Sequence, residues 1–351
     1  MRAVVKFGES PGQVEVREVS APELPADQVL VRTAAVGVCG SDIHMWHNKQ
    51  SWRTELPVVL GHEMAGTIAG VGPDVSGWQV GDRVVCETAA RICGQCALCR
   101  AGRYNLCPYR EGYGATRDGS FTELLAVEPR ILHRVPDHVR LLDAALTEPY
   151  AVAFNALVER AHISPGDLVV VQGVGAIGAL SIQIARLRGA DTVVALGTST
   201  DAIRLQQALR HGADHAIDIG SQDAGALVSS LGDGLGADVV VDATGVSAAL
   251  RQSLELVRPG GQIAKIGWGP DPLGFSLDPL VAKAVTLYGS FSHSWDTWER
   301  VLRLFASGKL QPSSVIGGTY PLDAWEEAFT EMEAGRNTKS VMTTGALSGD
   351  D

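Results

Sequence analysis

The 351-residue sequence predicts an α/β protein of two domains: a β-rich, barrel-type domain over residues 1–150, and a doubly wound parallel sheet over 151–290. Residues from about 291 to 351 are expected to return to the first domain. Three observations predict this. The length is more than twice the ~150 residues of a one-domain unit. The first 150 residues break into short β-like runs between Gly and Pro turns, the pattern of a small barrel with functional loops. From about 151, Val-rich runs alternate with helical patterns, the rhythm of a parallel sheet buried on both faces.

Taken in order, the β-like runs of the first domain include Gln28–Thr33, Gly66–Val71 and Asp82–Cys86. In the second domain, Leu168–Val171 leads to a helix near 176–188, Thr192–Leu196 to one near 201–211, and Ala216–Asp218 to one near 222–231. Val239–Asp242 then leads to a helix near 247–257, and the run Gln262–Gly267 follows. Beyond it, Trp295–Ala306 and Leu322–Ala334 read as amphipathic helices and Ser340–Thr343 as a last strand. The small, acidic stretch 345–351 reads as a frayed tail.

Composition excludes several function classes. Apolar residues make up 45% of the chain and charged residues 20%, which suits a folded core and not disorder. A formal charge of −11 repels phosphate backbones and anionic bilayers, so neither nucleic acid nor a membrane is expected as a partner. The first 16 residues lack the apolar stretch of a secretory signal, and no run approaches the ~18 to 20 apolar residues of a bilayer span. A cytoplasmic protein is the expectation. Forty glycines imply many tight turns or close backbone approaches to something bound.

Cysteines stand at 39, 86, 93, 96, 99 and 107, and in a reducing compartment such clustering reads as metal binding before disulfides. Cys93, Cys96, Cys99 and Cys107 have the spacing of a closed four-thiolate zinc site, which leaves no open position for chemistry. The same run also suits an iron–sulfur site or a redox disulfide. Cys86, alone in a strand-like run, reads as a small core residue. A second, catalytic metal needs about three protein ligands and one exchangeable position. Cys39, His62 and one carboxylate, from the loops Cys39–His44 and Gly61–Glu63, could supply that set.

Gly173-Val174-Gly175-Ala176-Ile177-Gly178 follows a strand-like run and opens a helical one, as a dinucleotide pyrophosphate requires. Gly173 permits the turn, Gly175 lets the backbone approach the phosphates, and Gly178 lets helix and strand close together. Ala176 and Ile177 open the helix whose free N–H groups face the anion. The acid that usually binds the NAD ribose about 20 residues on is replaced by Gly197. Ser199 and neighbouring hydroxyls, with Arg204 nearby, could take the 2′-phosphate of NADP, while Asp201 could instead reach a ribose. The missing acid favours NADP, with NAD left open.

Further motifs are Cys39-Gly40-Ser41-Asp42-Ile43-His44, Gly61-His62-Glu63-Met64-Ala65-Gly66, Gly81-Asp82-Arg83-Val84 and Thr147-Glu148-Pro149. With the four cysteines and the glycine loop, in this order over nearly the whole chain, they resemble the zinc-containing medium-chain alcohol and polyol dehydrogenases. The pattern is most similar to the sorbitol and threonine dehydrogenase branch. The resemblance implies a GroES-like catalytic domain, a Rossmann domain, one catalytic and one structural zinc, and a homodimer or homotetramer. It implies Cys39, His62 and Glu63 as zinc ligands, and Glu148 as a group that binds the metal directly or through water. Asp42 would orient the ligand histidine, and Ser41 and His44 would relay the alcohol proton to solvent.

The implied reaction is reversible hydride transfer between a secondary alcohol and NAD(P), giving a ketone. The implied substrates are a polyol, sugar alcohol, cyclitol or hydroxy amino acid; the short segment between His44 and Gly61 weighs against threonine itself. Chemistry is expected in the interdomain cleft, with Trp46, Trp52, Phe121, Phe291, His293 and Trp295 as candidate lining. A zinc-free quinone or enone reductase and a non-catalytic nucleotide-binding protein are the alternatives.

Overall fold

The computed structural model describes residues 1–345 and 347; of the anticipated tail, Ala346 and residues 348–351 lie outside the described residues. The chain divides into two compact units. One comprises Met1–Glu148, His293–Glu333 and the chain from Lys339; the other comprises Pro149–Ser292 with Ala334–Thr338.

The first unit is built on a sheet with strand order Ile316–Pro321, Lys339–Thr343, Val29–Gly37, Glu63–Val71, Arg83–Cys86 and Leu132–Arg134, and Leu124–Val127 also pairs with Val29–Gly37. A smaller sheet joins Val14–Glu18, Arg2–Lys6 and Val58–Val59. Val29–Gly37 runs four residues beyond the β-like stretch read from sequence, because Ala34, Ala35 and Val36 are as buried as the valines before them. Its core is Val29, Val31, Val36, Met64, Ile68, Val84 and Phe121.

Register positions the site. Gly37 pairs with Glu63 in the antiparallel ladder, so Cys39, two residues past the one strand, falls beside His62, one residue before the other. Val341 pairs with Gly37 on the opposite side, and two more residues along that antiparallel register bring Lys339 level with Cys39. Gly37 is required there: a Cβ would lie 2.0 Å from the Glu63 Oε2 and 3.0 Å from the Lys339 Cε.

The second unit is a six-stranded sheet in the order His215–Asp218, Thr192–Gly197, Leu168–Gln172, Ala237–Asp242, Val257–Lys265 and Thr286–Gly289. Every neighbouring pair is parallel. Strand order reverses between Leu168–Gln172 and Ala237–Asp242, which opens a crevice at the carboxyl ends of those strands, next to the glycine loop. Its helices include Ala176–Arg188, Ala202–Arg210, Ala224–Ser229 and Ser247–Leu256, with a short one at Asp278–Ala282. Val170, Val194, Val240 and Ile263 fill the sheet's interior, as Val-rich parallel strands must. Among the described residues, no helix is long and apolar enough to cross a membrane.

Candidate active site

Cys39, His62 and Glu63 converge, each offering a ligand atom within 4.8 Å of the others. His62 is pushed up to about 10: burial works against its charge, but the Cys39 side chain, Asp42 and Glu148 outweigh it. A proton held so firmly among anionic groups marks where a cation is stabilised. The Glu63 carboxylate lies 2.6 Å from the Nζ of Lys339, which also donates to the Val38 carbonyl at 2.7 Å. Burial pushes Glu63 up and Lys339 pulls it back. The donor set, one thiol, one imidazole and one carboxylate, suits zinc.

Asp42 is buried at the start of the helix Gly40–Trp46. Its Oδ2 accepts from the Cys39 N–H at 2.9 Å and its Oδ1 from the Gly61 N–H at 3.2 Å, which ties the two ligand loops together. The same Oδ1 is 3.9 Å from the His62 Nδ1, a charge contact rather than a hydrogen bond. Ser41 and His44 sit one turn apart on this helix. His44 is half-buried in a T-shaped contact with Trp52, and its pKa is lowered by burial and by Lys49 and His47.

Glu148 is buried in the helix Thr147–Phe154. Burial alone would raise its pKa, but a hydrogen bond from His293 and the charges of His62 and Lys339 bring it below the ordinary carboxylate value. His293, 1% exposed, lies 3.2 Å from the Glu148 Oε1 and does not line a substrate surface. Phe121, also fully buried, packs against Gly61, and Trp46 packs on Trp325 and Phe329. Trp295 lies against His133 with the two rings tilted by 39°, and Phe291 lies edge-on to Trp268.

Cys93, Cys96, Cys99 and Cys107 place their four sulfurs within 4.8 Å of one another, with no disulfide. Two of the S···S distances are 3.6 and 3.9 Å, beside the ~3.8 Å edge of a tetrahedron with 2.3 Å zinc–sulfur bonds. A cluster of several irons would hold its ligands further apart. Backbone N–H groups of Gln95 and Cys96 pull the Cys93 thiol down to about 6, while desolvation and the neighbouring thiols push Cys99 up to about 12. Cys86 is a core residue.

Gly173 has φ +87° and donates to the Leu196 carbonyl. Gly175 precedes the helix Ala176–Arg188 with nothing near the place a Cβ would take, and a Cβ on Gly178 would lie 1.8 Å from the Gly173 carbonyl oxygen. The three glycines thus divide turning, access and close packing among them. After Gly197, the Asp201 carboxylate accepts from the Thr198 N–H and Oγ1 at 3.0 and 2.8 Å, so it closes its own loop. Ser199 lies in that loop. Arg204 departs from the sequence expectation: its side chain is 11% exposed, bonded to Asp201 and to the Asn337 carbonyl, so it lies under the loop rather than over it.

The family model described as "Alcohol dehydrogenase GroES-like domain" matches residues 25–137, and "Zinc-binding dehydrogenase" matches 176–307. A sorbitol dehydrogenase of Halalkalibacterium halodurans is 38% identical over 98% of this chain and 99% of its own length. The chain belongs to the zinc-dependent medium-chain alcohol and polyol dehydrogenases. A D-arabitol-phosphate dehydrogenase of Enterococcus avium is 35% identical over 97% of each chain, and an L-threonine 3-dehydrogenase of Pyrococcus abyssi is 34% identical over 97% of this chain and 98% of its own. Among solved structures, the Thermus sp. ATN1 alcohol dehydrogenase TADH has a TM-score of 0.88 at 31% identity, covering 98% of this chain and 99% of its own. The Escherichia coli CFT073 alcohol dehydrogenase rspB, solved with NADH, has a TM-score of 0.88 at 25% identity over 98% and 99%. The GroES-like plus Rossmann architecture stands, and the protein is a zinc-dependent oxidoreductase that uses a nicotinamide cofactor.

Lys339 and His293 are the site residues that sequence reasoning missed in these roles. The only signal for Lys339 is that it keeps the period-two register of a buried strand with Val341.

Proposed function

We propose that the protein oxidises a secondary hydroxyl of a polyol or polyol phosphate to the ketone, with Cys39, His62 and Glu63 holding a catalytic zinc and Glu148 facing it directly or through water. The convergence of those three ligand atoms carries the reading. Zinc bound there supplies Lewis acidity that lowers the pKa of a bound alcohol. Ser41 accepts the alcohol proton and His44, whose lowered pKa keeps it ready to take one, delivers it to solvent. A nicotinamide bound by the second unit would take the hydride from the carbon that bears this hydroxyl, so proton and electron pair would leave separately. Cys93, Cys96, Cys99 and Cys107 hold a structural zinc, a role their tetrahedral spacing supports.

Gly173, Gly175, Ala176, Ile177 and Gly178 would cradle the pyrophosphate, the anion lying at a helix start with free N–H groups. NADP is the favoured cofactor, because Gly197 offers no carboxylate and Asp201 spends its own on Thr198; Ser199 and its neighbours would face the 2′-phosphate, with Arg204 bracing their loop. A homo-oligomer is supported by the strand Thr286–Gly289. Among the described residues it is an edge strand, with exposed Leu287, Leu277 and Val281 nearby. Six free thiols suit the cytoplasm.

The test is nicotinamide absorbance with NAD and NADP across sorbitol, arabitol, their phosphates, cyclitols and L-threonine. Reduction with a polyol and a higher kcat/KM for NADP is expected. Turnover of simple alcohols alone, or of none of these by zinc-loaded protein, overturns the substrate assignment.

A further inference from the structure

The buried groups behind Glu148 form a hydrogen-bonded chain that the reaction above leaves unused. The Trp298 indole N–H lies 2.6 Å from the His293 Nδ1. An indole nitrogen only donates, so Nδ1 accepts and the ring proton sits on Nε2. That Nε2–H points at the Glu148 Oε1, 3.2 Å away, with the Thr88 Oγ1 at 3.4 Å as a weaker second acceptor. Trp298 is itself fixed: it is fully buried and stacked on His133 at 5.4 Å and 12°. One oxygen of Glu148 is therefore committed to the imidazole.

The chain continues to the four-cysteine lobe. Arg110, three residues beyond Cys107, donates to the Thr88 Oγ1 at 2.7 Å. Tyr104, between Cys99 and Cys107, donates to Glu87, whose carboxylate also bonds the His133 Nε2 at 3.1 Å. The lobe thus reaches His293 through Thr88, and reaches the ring stacked on Trp298 through Glu87.

We propose that His293, held in one tautomer by Trp298, is a positioning residue that aims the Glu148 carboxylate, and that the cysteine lobe braces it through Arg110 and Thr88. The inference rests on the metal-centre reading given above. A hydrogen bond to a charged group corresponds to roughly tenfold to hundredfold in rate when its geometry is lost.

The experiment compares Trp298→Phe, Thr88→Val, His293→Leu and His293→Gln with the parent enzyme. The readouts are kcat, KM for cofactor, zinc per chain, and the visible spectrum after Co2+ replaces the catalytic metal. Trp298→Phe keeps an aromatic ring but loses the donor and part of the buried indole's volume, so Thr88→Val and the pair at 293 serve as the controls for packing; Gln at 293 restores a donor near the Nε2 position. Expected are a fall in kcat of about tenfold or more for Trp298→Phe and His293→Leu, a fall of several-fold for Thr88→Val, unchanged cofactor KM, an altered Co2+ spectrum, and recovery in His293→Gln. If the parent is active and loaded with two metals while Thr88→Val and every folded variant at 293 and 298 keep kcat within twofold and the parental spectrum, the positioning role is overturned. His293→Gln failing as badly as His293→Leu overturns it too. A parent that binds no metal at Cys39 and His62 removes the reading beneath it instead, and zinc content tells the two failures apart.

Discussion

Replacing Lys339 by Met should expose how the site balances its charge without metal. At 2.6 Å and an effective dielectric of about 20, the Glu63–Lys339 attraction is about 6 kcal/mol, and desolvation of both partners offsets much of it. Lys339→Met leaves the fully buried Glu63 carboxylate with only the charge of His62 beside it and the Val38 carbonyl without its lysine donor, a loss of about 3–5 kcal/mol. For a unit of this size that is a fall in Tm of roughly 6–20 °C in chelator-treated protein. The metal-loaded variant should lose far less, because a divalent cation beside Glu63 replaces the missing positive charge. Adding Glu63→Gln should recover most of the loss in the metal-free protein, since a neutral amide needs no counter-charge. Differential scanning fluorimetry of parent, single and double variants, each with and without chelator, makes the comparison. A metal-free Lys339→Met that melts within 2 °C of the parent would falsify the argument.

Cys39→Ala should abolish turnover and reduce zinc from two ions per chain to one while leaving nucleotide binding intact; retained turnover would refute the metal assignment. Because His62 holds its proton up to about pH 10 in the metal-free protein, metal must displace it at neutral pH. Zinc affinity should therefore rise as pH rises toward that value, with at least one proton released per catalytic ion, seen by calorimetry in buffers of different ionisation enthalpy. Gly178→Ala forces a Cβ to 1.8 Å from a backbone oxygen and should abolish cofactor binding and lower stability, whereas Gly175→Ala, with open space around it, should fold normally and raise only the cofactor KM. Equal behaviour of the two glycine variants would contradict the division of roles.

Period and spacing made much of this molecule readable. The helix at 176–188 and that at Trp295–Ala306 fall at their expected bounds, because each begins at a sharp sequence boundary: a glycine turn in one, a Ser before a Trp-rich apolar stripe in the other. The strand Thr286–Gly289 was not legible. It is four residues long, three of them exposed, so it carries neither the apolar run of a central strand nor a clean alternation. Cys39, His62 and the four lobe cysteines were legible because metal chemistry restricts residue type and local spacing together.

The groups behind those ligands obey a different constraint. Lys339 meets Glu63 across 276 residues of chain, Trp298 reaches back to His293 from the next helix, and that imidazole meets Glu148 across 145. No local spacing rule connects such pairs, since a hydrogen bond needs only matched donors and acceptors where the register delivers them. The fold then creates a deficit. Asp42, Glu63 and Glu148 are buried acids around one thiol and one imidazole, and a zinc dication cannot neutralise all of them. Once those acids are buried, the site needs a buried cation and a fixed neutral donor. Lys339 supplies the first and His293 the second.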